Sequence, residues 1–168
     1  MRVHVPALAN SGPPSARQFP GGASNLTYLL TYGDSSARYV LRRPPRGHRA
    51  ASAHDMGREV RVQQLLRPHY GLVPEIIGHC TDPSVIGSEF YVMERLSGTI
   101  LRRDLPSDVA LSSDDARRLA HTVIDAQADL HAIDPAGTGL DSLGRGPGYI
   151  ERQVAGWSRR YRDAWTDD

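Results

Sequence analysis

The chain has 168 residues, 39% hydrophobic and 23% charged, with a formal net charge of +1. This composition suits one ordinary globular domain or two small lobes, and it excludes a highly charged, core-less chain. The near-zero charge balance gives no reason to expect nucleic acid or an anionic membrane as the main partner.

Residues 1–14 (MRVHVPALANSGPP) are rich in small residues and proline and read as a flexible lead-in. Ser15–Phe19 reads as a first strand, broken by the turn signal Pro20-Gly21-Gly22. Asn25–Tyr32 (NLTYLLTY) has the β-branched and aromatic content of a second strand. Gly33-Asp34-Ser35-Ser36 is a hairpin turn, and Arg38–Arg43 returns as a third strand that Pro44-Pro45 stops. After a loop, His54–Arg67 reads as a helix with Glu59, Val62 and Leu66 on one face, ended by Pro68. Glu75–Cys80 and Glu89–Glu94 read as two more strands around a turn at Asp82-Pro83. The sum is α+β: a five-stranded antiparallel sheet with one helix inserted after the third strand.

Beyond Gly98 the pattern turns helical. Ser112-Ser113-Asp114-Asp115 carries hydroxyl caps and first-turn acids. Ala116, Leu119, Ala120, Val123, Ile124, Gln127, Leu130 and His131 then form one stripe. Asp134-Pro135 is expected to close this helix, Thr138–Gly148 to be a glycine-rich loop, and Ile150, Val154, Trp157, Tyr161 and Trp165 to form a last helical stripe. His131 is expected to be a hydrogen-bonded core or loop-supporting residue, and the tryptophan stripe to pack against a neighbouring helix.

All 20 basic residues are arginine, so any phosphate contact that lysine usually makes falls here to arginine or backbone. Cys80 is the single cysteine, which rules out an intrachain disulfide and suits a reducing compartment. No window approaches the length of a membrane span and no secretory-signal layout opens the chain; a cytoplasmic protein is the expectation.

The chemistry-bearing residues are Gly21, Gly22, Ser24, Arg42 and, seventeen positions on, Glu59. Glycines let backbone N–H groups approach phosphate oxygens closely, and Ser24 adds a hydroxyl donor. Taken alone, Pro-Gly-Gly is more often an ordinary hairpin turn, and paired arginines at a strand end are often solvated. Strand alternation places Arg42 with Val40 on one face and Arg43 on the other. Glu59 shares its face with apolar residues, where an unpaired carboxylate is costly.

FPGGASNLTYLL, YVLRRPP, the Arg58-Glu59 pair, FYVMERLSG and the DLHAID helix end together resemble the aminoglycoside-phosphotransferase-like branch of the protein-kinase-like superfamily. The VLRRPP wording is similar to the kinase region of acyl-CoA dehydrogenase family proteins. The resemblance runs from about Ser15 to Trp165 and rests on the ordered set, since no single motif is specific. It implies a nucleotide-binding lobe over residues 15–96, with the hinge and first helices of a helical lobe over 97–168. It implies ATP as cofactor, with Mg²⁺ in the complete protein, and an unidentified small-molecule substrate. Gly21, Gly22, Ser24 and Asn25 would cover the phosphates. Arg42 would stand in for the third-strand lysine and pair with Glu59. Met93 would lie behind the adenine, with the Glu94 carbonyl and Leu96 N–H on its edge.

The resemblance also implies a catalytic motif like H-G-D-x-x-x-x-N, with further metal ligands beyond it. None of the seven histidines is followed by Gly-Asp. The expectation is therefore the N-terminal portion of an ATP-dependent phosphotransferase, inactive alone, whose helical stripes are left exposed. Two other readings stand beside it: a non-catalytic nucleotide-binding or interaction module, and an unrelated α+β domain in which Arg42 and Glu59 lie far apart.

Overall fold

The computed structural model describes residues 12–20, 25–33, 38–45, 55–101, 105–106 and 109–166. Its five strands are β1 (Ser15–Gln18), β2 (Leu26–Thr31), β3 (Arg38–Arg43), β4 (Ile76–Cys80) and β5 (Phe90–Glu94). They form one antiparallel sheet in the order β1-β2-β3-β5-β4. Helix α1 (Met56–Leu66) lies between β3 and β4 in sequence, as the sequence pattern predicts. The helical part comprises α2 (Ser113–His131), the short α3 (Pro135–Thr138), a 3₁₀ turn (Leu140–Leu143) and α4 (Tyr149–Asp163). The expected hairpin turn after Gly33 and the loop after Pro45 lie outside the described residues.

Strand alternation splits the core in two. One face carries Leu30, Tyr32, Leu41, Cys80, Phe90 and Val92, packed by Val85 and Ile86 from the β4–β5 connection. The other carries Tyr91 and, around it, Met93 and Ile76, and on this face Met56 and Val60 of α1 are buried. A register shift between Ile76 and Gly78 marks a bulge in β4 against β5. Arg43 belongs to the first face. It is buried and its Nη1 donates to the Ile86 carbonyl at 2.9 Å, tying the end of β3 to the covering segment.

The helix ends follow their local chemistry. Asp55 caps α1 by accepting from the Arg58 amide at 2.8 Å. Ser112 and Asp115 form a reciprocal capping box on α2. The serine hydrogen bonds hold the Asp115 carboxyl below its usual range. The expected loop over 138–148 contains structure instead. Asp134 caps α3 by accepting from the Ala136 and Gly137 amides at 3.1 and 3.0 Å, and Pro135 takes the first turn, where its missing donor costs nothing. Gly139 ends α3 in the left-handed region at φ 77°, a conformation that a side chain would strain. Asp134-Pro135 therefore opens a helix as well as following one.

The helical stripes are exposed, as expected of surfaces without a covering layer. Val123 and Ile124 of α2 and Ile150, Val154, Trp157 and Tyr161 of α4, with Trp165 just beyond it, are all largely solvent-accessible. His131 is exposed at the end of α2, which corrects the core role expected for it; among the described residues no layer packs on that stripe to bury it. Trp157 likewise has no helix over it among the described residues and instead carries the Arg160 guanidinium 4.3 Å above its ring.

Phe90 has no exposed surface, whereas Trp157 is 63% exposed. Phe90→Ala is expected to lower unfolding free energy by about 3–5 kcal/mol, and Trp157→Gln to change it by less than about 0.5 kcal/mol. Urea titrations of the two variants check the contrast.

Candidate nucleotide site

Glu59 sits on α1 where the helix crosses the second sheet face, one turn from the buried Met56 and one residue from the buried Val60. Its carboxylate is the meeting point of four elements. Oε1 accepts from Asn25 Nδ2, just before β2, at 2.9 Å. Oε2 accepts from the Tyr91 hydroxyl of β5 at 2.9 Å. The same oxygen lies 2.9 Å from Arg42 Nε of β3. Gln63, one turn further along α1, donates to the Tyr91 oxygen at 3.2 Å.

The register explains the convergence. Arg42 pairs across the sheet with Thr27 on one side and Tyr91 on the other. Arg42 and Tyr91 are thus neighbours on one face, and Glu59 descends onto them from α1. The Arg42–Glu59 approach is Coulombic more than a straight hydrogen bond, because the buried Nε has no hydrogen-bond partner of proper alignment. The guanidinium side chain keeps 35% of its surface exposed, so it is steered by Glu59 and still open to a second anion. Burial pushes the Tyr91 hydroxyl up to about 12; the Gln63 hydrogen bond opposes this, and the Glu59 charge adds to the rise.

Of the residues singled out from sequence, Asn25, Arg42 and Glu59 are brought together. Asn25 is buried and directs its amide to Glu59, so it steadies the pair. Gly21, Gly22 and Ser24 lie outside the described residues. Met93 packs half-buried against Met56, Val60 and Tyr91, on the same face as the pair. Glu94 ends β5: its amide donates to the Glu75 carbonyl at 2.8 Å, and its carboxylate accepts from the Glu75 amide at 3.2 Å with Arg67 3.5 Å away. Leu96 is half-exposed on the segment that leaves the sheet. Tyr91 and Gln63 were not singled out from sequence. Two signals point to them: Tyr91 is two residues before Met93, hence on its face, and Gln63 is four after Glu59 on α1.

Comparison with known proteins agrees with this architecture. The sequence model of the family described as "Phosphotransferase enzyme family" matches residues 15–168. Acyl-CoA dehydrogenase family member 11 of Gallus gallus is 42% identical over 158 residues, covering 94% of this chain and 20% of that protein. The human protein of the same name is 38% identical over 151 residues, covering 90% and 19%. A crystal structure provisionally described as an aminoglycoside phosphotransferase, from Ralstonia eutropha, superposes with a TM-score of 0.72 at 31% identity, over 100% of this chain and 46% of that one. The chain thus spans about a fifth of those curated relatives and just under half of the solved structure. Arg42 and Glu59 stand together in the protein-kinase-like α+β fold, which removes the reading as an unrelated domain with the two far apart.

The raised Tyr91 hydroxyl has a consequence for stability. The folded protein holds the proton more tightly than the unfolded chain, whose tyrosine titrates near 10. Stability from this group is complete below about pH 10 and is lost as pH rises toward about 12, a decline on the order of 2–3 kcal/mol. Urea midpoints measured across that window should fall, and Tyr91→Phe should make the fall shallower. Glu59→Ala is expected to cost about 1–3 kcal/mol at neutral pH, because it removes the acceptor of the part-buried Tyr91 hydroxyl and the anion that faces Arg42.

Proposed function

This chain belongs to the phosphotransferase enzyme family, and from that premise we propose that it is the N-terminal portion of an ATP-dependent small-molecule phosphotransferase. Residues 15–96 act as the nucleotide-holding lobe, and 97–168 as the hinge and first helices of the second lobe. The observation that carries the reading is the Arg42–Glu59 pair, steadied by Asn25 and Tyr91. A cation held in place on the third strand by a helix carboxylate is what positions the α/β phosphates of ATP in kinase-like folds.

The residues present fit the nucleotide. Arg42 Nε is a buried donor without an aligned partner, and the half-open guanidinium can take phosphate oxygens bidentately. Glu59 fixes its direction, and Asn25 and Tyr91 hold Glu59 in turn, so the cation is set before the nucleotide arrives. Gly21, Gly22 and Ser24 are proposed to close over the phosphates, and Met93, the Glu94 carbonyl and the Leu96 N–H to meet the adenine. Mg²⁺ would neutralise charge developing on the transferred phosphoryl group. Among the described residues no cluster of His, Cys, Asp and Glu could hold that ion: Glu59 is occupied by Arg42, Asn25 and Tyr91, and the sequence has no H-G-D-x-x-x-x-N motif. The chain by itself is proposed to hold ATP without turning it over.

The exposed stripes on α2 and α4 favour a second reading, in which these faces dock on further polypeptide and the chain serves as a non-catalytic nucleotide-binding or interaction module. Turnover separates the two when the complete protein is assayed.

Addition of ATP to the 168-residue protein is expected to raise its melting temperature, and Arg42→Ala to abolish the rise measured from its own apo melting temperature, which is itself lowered by loss of the Glu59 partner. Absence of any ATP-dependent shift in the unsubstituted protein would remove the nucleotide reading. Mg²⁺-dependent ATP turnover by this chain, lost in Arg42→Ala, would overturn its inactivity.

A further inference from the structure

A second cleft, of about 410 Å³, opens between the start of α1, the residues after the 3₁₀ turn and one side of α4. Five arginines line it: Arg58, Arg145, Arg152, Arg159 and Arg160. No aspartate or glutamate is among its lining residues, although the chain as a whole carries 19 acids against 20 bases. Five guanidinium groups around one space repel each other unless an anion occupies it.

The cleft is built. Arg58 Nη1 donates to the Leu143 carbonyl at 2.8 Å, linking α1 to the segment before α4. Arg152 donates to the Pro147 and Gly146 carbonyls at 2.5 and 3.0 Å, closing that segment onto the first turn of α4. Arg160 lies over the Trp157 ring. Arg58, Arg152 and Arg160 are thereby given fixed directions, although only Arg152 is partly buried and Arg58, Arg145, Arg159 and Arg160 are exposed. Tyr149 adds an aromatic wall. Arg58 also precedes Glu59 directly, about 100° round the same helix, so the cleft opens beside the nucleotide pair and on a different side of α1.

We infer that this cleft is an anion-binding subsite, and that the phosphoryl acceptor is a small molecule bearing phosphate or several carboxylate groups, anchored by the arginines. The inference deepens the phosphotransferase reading and rests on it for the word acceptor; the anion site itself stands on the cleft. It also sets this chain apart from a polycationic acceptor such as an aminoglycoside, which five guanidinium groups would repel.

Inorganic pyrophosphate, titrated calorimetrically into the 168-residue protein without divalent metal, is the probe. It is expected to bind, to weaken as salt is raised, and to lose about tenfold or more in affinity in the double variant Arg159→Glu/Arg160→Glu. Because Arg42 can also take phosphate oxygens, the titration is repeated in Arg42→Ala, where pyrophosphate binding that Arg159→Glu/Arg160→Glu weakens should persist; Arg42→Ala should weaken a fluorescent ATP analogue that the double variant still binds. If the double variant unfolds by circular dichroism, Arg145→Glu on the rim carries the same test. No pyrophosphate binding at millimolar concentration, or binding lost in Arg42→Ala and kept in the α4 variants, would overturn the anion subsite. Loss of ATP-analogue binding alone would instead count against the nucleotide reading.

Discussion

The carboxylate of Glu59 joins pieces that sequence keeps apart. Asn25, Arg42 and Tyr91 come from the edge of β2, from β3 and from β5, and all three reach one side chain on α1. A carboxylate on an apolar helix face is expensive unless it is paired and hydrogen-bonded. Here both oxygens have partners, so α1 has one favourable rotation on the sheet. That rotation also buries Met56 and Val60 against Tyr91 and Met93. Packing and electrostatics therefore select the same arrangement, and the arrangement presents Arg42.

The two sheet faces divide the labour. The face under the β4–β5 connection is apolar and closed, with Arg43 bonded to a backbone carbonyl at its rim. The face under α1 is apolar only near Met56 and Val60, and polar where Arg42 emerges. Adjacent arginines thus have opposite duties because successive side chains point to opposite faces. Arg43 fastens the covering segment. Arg42, free of lysine competition anywhere in the chain, offers a fork suited to phosphate oxygens.

The helical half is put together differently. Local caps and turns define α2, α3 and α4, and among the described residues the side-chain hydrogen bonds back to the sheet half include the Tyr70 hydroxyl to the Ala126 carbonyl at 2.7 Å and Arg58 to the Leu143 carbonyl. Large apolar side chains along α2 and α4 face solvent. These helices are defined by capping and periodicity, and their apolar stripes are exposed among the described residues. The solved relative extends beyond the part this chain matches, which is under half of it.

Much of this was written in the sequence. Strand alternation and proline stops determined the five strands and the inserted helix, because these follow from local geometry, while the Arg42–Glu59 pair was expected from the family resemblance, with the cost of an unpaired carboxylate in its favour. The exposed stripes were legible too, as helical periodicity with nothing obvious to cover it. Tertiary structure alone decided the rest. Only the β2–β3–β5 register brings Tyr91 beside Arg42, and only the seating of α1 turns Asn25 into a support for Glu59. The arginine cleft was invisible for the same reason: Arg58 and Arg159 are a hundred positions apart, and their charges add up only where α1 and α4 face one space. Sequence spacing reports neighbours on one element; the sum of charges in a cavity belongs to elements that meet through folding.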